Sequence, residues 1–501
     1  MSLFRVGGYL KLEGENITKA KGIEKTATVL TKMGVLFIGF LSAFSLVFLV
    51  ILWDITKAYL LAGTLGCLLV LLLPALLPKR YDVFQPLSFA ILSVAIGVTG
   101  RTIYILFNKD GAERLLLGED PQFLLPAILA TLVGLLFFVV GYMQNLPKLS
   151  VRRLKIARSD EWDVRRLWIV VLLFTGVSLI ATVLFLQKTG FEFQDLTSIS
   201  RKRFLMLEES EVGYTALGYL RWAASLSQIA FMLVMAWFVS SGKRWLSALG
   251  FAIIVMFGIA VTFPFLTSSR GSLLWLVFSS MIMWHYLRRP ISTRTVAGIT
   301  IIAVVVLSVM INLRRGDVNL TTAVSLESIS ERLFGSRDFL DITTTAHIIA
   351  AIQEGRLGHS YGWTYLTWLY APIPRTMWPE KPVVSVGWEI KRRVFGFESA
   401  GGIPPGAIGE AFWAFGFLGV IIIMWLLGGI VGSIYRSLKV YVANNKNMAL
   451  VYTFLFLPWL LAVLGSDWSN ALVCTLQKGL PLILALYFIT QRKKLGGGEV
   501  R

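Results

Sequence analysis

The feature that most constrains this chain is the recurrence, along nearly its whole length, of apolar runs of about 20 residues, each able to cross a hydrocarbon core of roughly 30 Å as a helix. These runs lack the alternation of apolar and polar residues that a membrane β-barrel needs, so the spans are helical. Composition agrees: 56% of the 501 residues are hydrophobic and 15% charged, against roughly 45–50% and about 25% in soluble domains. Spans are expected near 34–53, 58–77, 87–107, 123–142, 167–186, 223–239, 246–263, 272–287, 295–313, 408–435, 448–464 and 471–490. The fold class that follows is an all-α polytopic membrane protein of about twelve transmembrane helices.

A net charge of +19 would suggest nucleic acid in a soluble protein. Here Lys and Arg first set topology, because cytoplasmic loops carry the basic excess. Lys79–Arg80, the cluster from Lys148 to Arg166, Lys243–Arg244, Arg288–Arg289, Arg436–Lys439 and Arg492–Lys493–Lys494 follow the even-numbered spans. Both termini are therefore expected in the cytoplasm. The organisation is a cytoplasmic segment 1–33, spans one to nine over 34–313 with an outer loop at 187–222, and a large periplasmic loop over 314–405. Spans ten to twelve over 406–490 and a tail over 491–501 complete it. The mostly polar residues before the first run lead to no expectation of a cleavable signal. Cys67 and Cys474 both sit in apolar runs and read as small packing residues rather than a disulfide or metal pair.

The large outer loop carries the functional interest. Its stretch 338–354 reads as a partly buried surface helix, and 359–370 as an aromatic-rich amphipathic segment at headgroup level. Pro372, Pro374, Pro379 and Pro382 then impose extended chain. No internal repeat of the kind that marks many transporters is present.

Arg270 opens the eighth span from outside, Arg314 and Arg315 close the ninth, Arg101 lies near the outer end of the third, and Arg337 and Arg375 lie in the loop. A guanidinium is planar, permanently charged and suited to phosphate oxygens. Several around one outer cavity would bind an anionic headgroup, with a pyrophosphate the natural candidate; the bland alternative is snorkelling to lipid phosphate. Of the three histidines, His285 falls near an inner span end and reads as structural, while His347 and His359 face the outer compartment as candidate general bases. Glu410, opening the tenth span, is either a helix-start carboxylate or a base. Asp338 and Asp341 only weakly resemble a divalent-ion pair, and no cluster has metal-ligand spacing. Lys478, within the twelfth span, is an intramembrane cation. Trp363, Tyr365 and Trp378 could stack on sugars or form an interfacial aromatic belt.

Three stretches together resemble the Wzy-type O-antigen (oligosaccharide repeat-unit) polymerases, with broader kinship to O-antigen ligases and GT-C-like membrane glycosyltransferases. They are Thr267-Ser-Ser-Arg-Gly-Ser-Leu-Leu, Pro372-Ile-Pro-Arg-Thr-Met-Trp-Pro-Glu-Lys-Pro382, and Pro404-Pro-Gly-Ala-Ile-Gly-Glu-Ala-Phe-Trp-Ala-Phe-Gly416. The likeness covers roughly the second half of the chain. An Arg followed eleven residues later by Gly, described in two outer loops of some members, is not found among the Arg residues of the outer loops here. The resemblance implies glycosidic bond formation at the periplasmic face of the bacterial inner membrane. The donor would be a glycan on undecaprenyl pyrophosphate and the acceptor a new lipid-linked repeat unit, with membrane lipids and a chain-length regulator as further partners and no nucleic acid. Arg270, Arg314, Arg315 and Arg375, with Arg337 in reserve, would neutralise the leaving pyrophosphate; Glu410, His347 or His359 would take the acceptor proton. No cofactor or metal is expected, and inversion at C1 is the simplest outcome. Two alternatives stand beside this: an O-antigen ligase, and a non-enzymatic flippase for lipid-linked oligosaccharides.

Overall fold

The computed structural model describes residues 55–76, 82–188 apart from 145, 146, 148, 149, 152 and 153, and 218–302 apart from 268, 293, 297 and 301. It further describes 326–373 apart from 336–338, then 377–398 and 401–491. In chain order the helices are α1 (Ile55–Leu76), α2 (Pro86–Phe107), α3 (Lys109–Leu116), α4 (Pro121–Met143), α5 (Val164–Lys188), α6 (Gly218–Ser241) and α7 (Ala248–Leu266). They continue as α8 (Arg270–Leu287), α9 (Leu326–Phe334), α10 (Ile342–Gln353), α11 (Gly387–Arg393), α12 (Gly406–Val442), α13 (Lys446–Gly465) and α14 (Trp468–Ile489). Among the described residues no strand forms, and one isolated antiparallel bridge joins Trp162 to Thr490.

Nine of these helices are long and apolar enough to cross a membrane, and α8 is a shorter apolar helix over Gly271–Leu287. Each coincides with one of the expected spans two to eight and ten to twelve. The expected first span lies outside the described residues, as does most of the ninth. Helix starts follow local chemistry: Asn108, Asp120, Ser247, Asn445 and Asp467 each accept a backbone N–H from the first turn of the helix they precede. That contact satisfies one of the donors a helix start leaves open.

The most extensive helix–helix contact joins α4 to α12. Glycine makes it: a Cβ on Gly141 would collide with the Trp425 carbonyl, and one on Gly428 with the Phe138 carbonyl. Small residues let two backbones approach in this way and gain dispersion contacts along the crossing. At one end of the bundle, residues 155–163 are clasped to the start of α13 and the end of α14. The Asn447 side chain there accepts from Trp162 Nε1 at 2.6 Å and donates to the carbonyls of Ile156 and Ser159. Asp82 at the same end accepts hydrogen bonds from the Tyr286 and Tyr435 hydroxyls.

The other end carries a cap built from residues 326–405. The helix expected at 338–354 as a partly buried surface element is α10, and it is buried on nearly every side between α4 and α12. Its first-turn threonines are buried without loss because Asp341 satisfies them. The carboxylate accepts from the N–H and hydroxyl groups of Thr343 and Thr344 at 2.6–3.1 Å. It also pairs with Arg101 of α2, both side chains being fully buried. The Arg101 Nε donates in addition to the Phe334 carbonyl at 2.7 Å. α2 has a π-turn over Ala95–Gly100 here, and Gly97 lets the Leu340 backbone lie directly against it. The expected amphipathic segment forms a 3-10 helix over Trp363–Tyr370 that packs on α14. A separate apolar core of the cap gathers Ile348, Leu357, Val386, Ile390, Val394 and Trp413.

Candidate functional site

α12 does not run straight. At Phe415 and Gly416 its backbone leaves helical geometry, with Gly416 at φ 61°, ψ −146°, a conformation open to glycine and costly for other residues. Just before the break, the Trp413 and Ala414 carbonyls bond to the cap instead: Ser360 N–H donates to Trp413 at 2.9 Å and Tyr361 N–H to Ala414 at 3.2 Å. Tyr361 is held at φ 48°, a left-handed conformation rare outside glycine. Local strain of this kind, of order 1–3 kcal/mol, persists only where surrounding contacts over-determine it.

This strained turn positions His359. Its Nδ1 lies 3.1 Å from the Trp413 carbonyl. A carbonyl can only accept, so Nδ1 carries the proton and a neutral imidazole presents Nε2 as an acceptor. The ring is exposed and sits beside Tyr361, their centroids 6.2 Å apart. Trp413 also anchors the turn from its other end, Nε1 donating to the Gly358 carbonyl at 2.8 Å.

Trp413 in turn packs edge-on against Trp363, centroids 6.0 Å apart, and Trp363 is a wall of a cavity of about 670 Å³ in the cap. The other walls include Trp388, Lys381, Ser385, Glu389 and Arg392. The paired i, i+4 spacings of α11 place Trp388 under Arg392, whose guanidinium lies 5.5 Å from the indole centroid, and Glu389 beside Arg393 at 3.2 Å. Burial pushes the Glu389 carboxyl up, with Arg393 acting against it. The Lys381 ammonium donates to the carbonyls of Ala371 and Ile373, both at 2.8 Å, and so pins the chain before Pro379.

Ser385 connects the cavity to a buried carboxylate pair. Its hydroxyl donates to Asp467 Oδ2 at 3.1 Å. Asp467 also caps α14 through the Asn470 N–H at 2.8 Å, and the Trp468 N–H donates to Glu410 Oε2 at 2.8 Å. Neither acid is more than 1% exposed, and no cation among the described residues forms an ion pair with either. Burial pushes Asp467 up to about 6, against the hydrogen bonds of Asn470 and Ser385. Tyr365 stands next to the pair. Burial and the Glu410 charge push its phenol well above its ordinary range.

The residues singled out from the sequence therefore divide. His359 and Trp363 come together through Trp413. His347 is buried, its Nε2 3.3 Å from the Leu115 carbonyl and its ring between Phe123 and Phe395; it packs the cap and offers no face to a ligand. Glu410 is likewise buried, its Oε2 held by the Trp468 N–H, so in this conformation it is not positioned to meet an acceptor hydroxyl. Tyr365 packs on Trp468 instead of facing the cavity, and Trp378, 38% exposed, lies edge-on to Tyr370. Arg101 is a buried counter-ion. Asp341 is its partner and a helix cap, not half of a divalent-ion site.

Arg270 is the first residue of α8, but its side chain falls outside the described residues, as do Asp338, Arg314, Arg315, Arg337 and Arg375. His285 lies at the end opposite the cap, against Phe84. The Lys478 ammonium sits 5.7 Å from the Phe454 ring within the bundle. Among the described residues no three His, Cys, Asp or Glu side chains gather as a metal set.

Sequence reasoning missed Asp467, Ser385 and Trp388. The Asp467-Trp-Ser-Asn470 start of α14 carries an N-cap signal, and the 388/392 and 389/393 spacings were legible. Ser385 carries no local signal. Comparison of the chain with protein-family models, with curated proteins and with solved structures finds no match.

Proposed function

We propose that this protein is a polymerase that joins lipid-linked oligosaccharide repeat units, carried on undecaprenyl pyrophosphate, into O-antigen or a related surface polysaccharide. The observation that carries the reading is His359, exposed with its Nε2 lone pair outward, one indole contact away from an aromatic- and cation-walled cavity of sugar-binding size. The reading places the cap in the periplasm and the opposite end in the cytoplasm of a bacterial inner membrane. The basic residues Arg165, Arg166, Lys243, Arg288, Arg436 and Lys439 support that orientation, because they border the spans at the end away from the cap.

In this mechanism His359 Nε2 takes the proton of the acceptor hydroxyl as its oxygen attacks C1 of the donor sugar. The C1–O bond to the pyrophosphate breaks, and the lipid pyrophosphate leaves with the bonding pair. Arg270, Arg314, Arg315, Arg375 and Arg337 are the proposed cations for that departing charge, where removing one preorganised contact typically costs about 10²–10³ in rate.

Turnover of a synthetic polyprenyl-pyrophosphate repeat unit by the purified protein, read as a ladder of glycan lengths, tests the proposal. His359→Ala should slow the ladder by about 10²–10⁴-fold, the usual weight of a positioned base. A wild-type protein that makes no ladder, or an unimpaired His359→Ala variant, would overturn it.

A further inference from the structure

We infer that the cavity between Trp363 and Trp388 is a subsite for a sugar that bears a carboxylate, anchored by Arg392. The inference rests on the glycosyl-transfer reading and narrows it to a substrate class.

The cavity's charges are not equally available. Arg393 is engaged by Glu389 at 3.2 Å. The Lys381 ammonium is turned to two backbone carbonyls. Arg392 is different: it is exposed, no carboxylate among the described residues pairs with it, and its guanidinium carbon lies over the Trp388 indole, 5.5 Å from the centroid. A guanidinium held over a ring and without a carboxylate partner keeps donors for a ligand, and its fork receives a carboxylate through two parallel hydrogen bonds. With Lys381, Arg392 and Arg393 against Glu380 and Glu389, the lining carries three positive and two negative groups. Its surplus is one positive charge, matched by one negative charge on the occupant.

The rest of the cavity suits a sugar ring. Trp363 is 41% exposed and is fixed from behind by the buried Trp413. An indole so supported offers a rigid apolar face to the C–H side of a pyranose at little entropic cost. A volume of about 670 Å³ admits more than one sugar residue, so an acidic residue can occupy the Arg392 end while its neighbour lies against Trp363.

The test uses the full chain in lipid nanodiscs and two soluble probes. One is a disaccharide ending in glucuronic acid; the other is the same disaccharide ending in glucose. Binding is read by ligand-observed NMR and by tryptophan fluorescence. The acidic probe should bind about tenfold tighter, the weight of one charge-assisted contact in a partly solvated site, and 0.5 M salt should shrink the preference. Arg392→Gln should erase the preference, bringing the acidic probe's affinity to that of the neutral one, whereas Trp363→Ala should weaken both.

Equal binding of the two probes, or a preference that survives Arg392→Gln, would overturn the inference while leaving a glycan site in place. Failure of both disaccharides to bind, with tight binding of polyprenyl pyrophosphate that Arg392→Gln abolishes, would mark a headgroup site and overturn it from the other side. Binding of none of the three would remove the glycosyl-transfer reading as well.

Discussion

The Arg101–Asp341 pair is the junction on which the cap's position depends, and Asp341→Asn isolates its charge. Asparagine keeps an oxygen for the Thr343 and Thr344 N–H groups, so the capping contribution, typically about 1 kcal/mol, largely survives. What is lost is the negative charge beside a guanidinium with no solvent exposure. Arg101 would keep its bonds to the Phe334 carbonyl and the Thr343 hydroxyl, but would face a neutral amide oxygen in place of the carboxylate. Removing one partner of a buried pair costs about 3–5 kcal/mol, because the remaining charge stays buried.

The reverse change, Arg101→Met, should cost less. The Asp341 carboxylate left behind still accepts from two N–H groups and two hydroxyls. The double variant removes both charges of the pair together, so it should recover about 2 kcal/mol relative to the sum of the single changes. Reversible unfolding in mixed micelles, followed by tryptophan fluorescence, measures all four corners of the cycle. Asp341→Asn within about 0.5 kcal/mol of wild type, or strict additivity in the double variant, would refute the claim that this ion pair fastens α10 to α2.

Two further outcomes follow from the packing and the buried acids. Gly428→Ala should destabilise the α4–α12 crossing by about 1–3 kcal/mol, because its Cβ meets the Phe138 carbonyl; Gly258→Ala, where a Cβ meets nothing within 4 Å, should not. Unfolding of the two variants by the same denaturant titration distinguishes them. Asp467 holds its proton more tightly in the folded protein, near 6, than the roughly 3.9 of an unfolded chain. Its contribution to stability is therefore greatest below about 4 and is lost as pH rises through about 6. Asp467→Asn, which preserves the cap on α14, should flatten a stability profile taken between pH 4 and 7.

Much of the architecture is written in local chemistry. A run of 20 apolar residues in lipid has one way to satisfy its backbone, and that is a helix. The described helices accordingly fall where the runs fall, and several of them begin where an Asn, Asp or Ser caps the first turn. The break in α12 was not readable in the same way. Gly416 is one glycine among several in that stretch, and only the cap's use of the Trp413 and Ala414 carbonyls shows that the helix is interrupted there.

Long-range electrostatics separates the candidate residues. As single letters, His347 and His359 are equivalent, and Arg101 looks as available for a phosphate as any other outer arginine. Residues 232 and 242 positions away decide otherwise: the Leu115 carbonyl occupies one imidazole, and the Thr343–Asp341 corner occupies the guanidinium. Glu410 is a helix-start carboxylate by sequence, but the turn before α14 closes over it.

By itself, then, the sequence determined the helical membrane class, the positions of most spans and the charge asymmetry between their ends, because each depends on solvation of residues close together in the chain. Which polar side chains remain free to meet a ligand was decided only by tertiary structure. A charge or lone pair is available or consumed according to what packs against it, and those partners lie tens to hundreds of residues away.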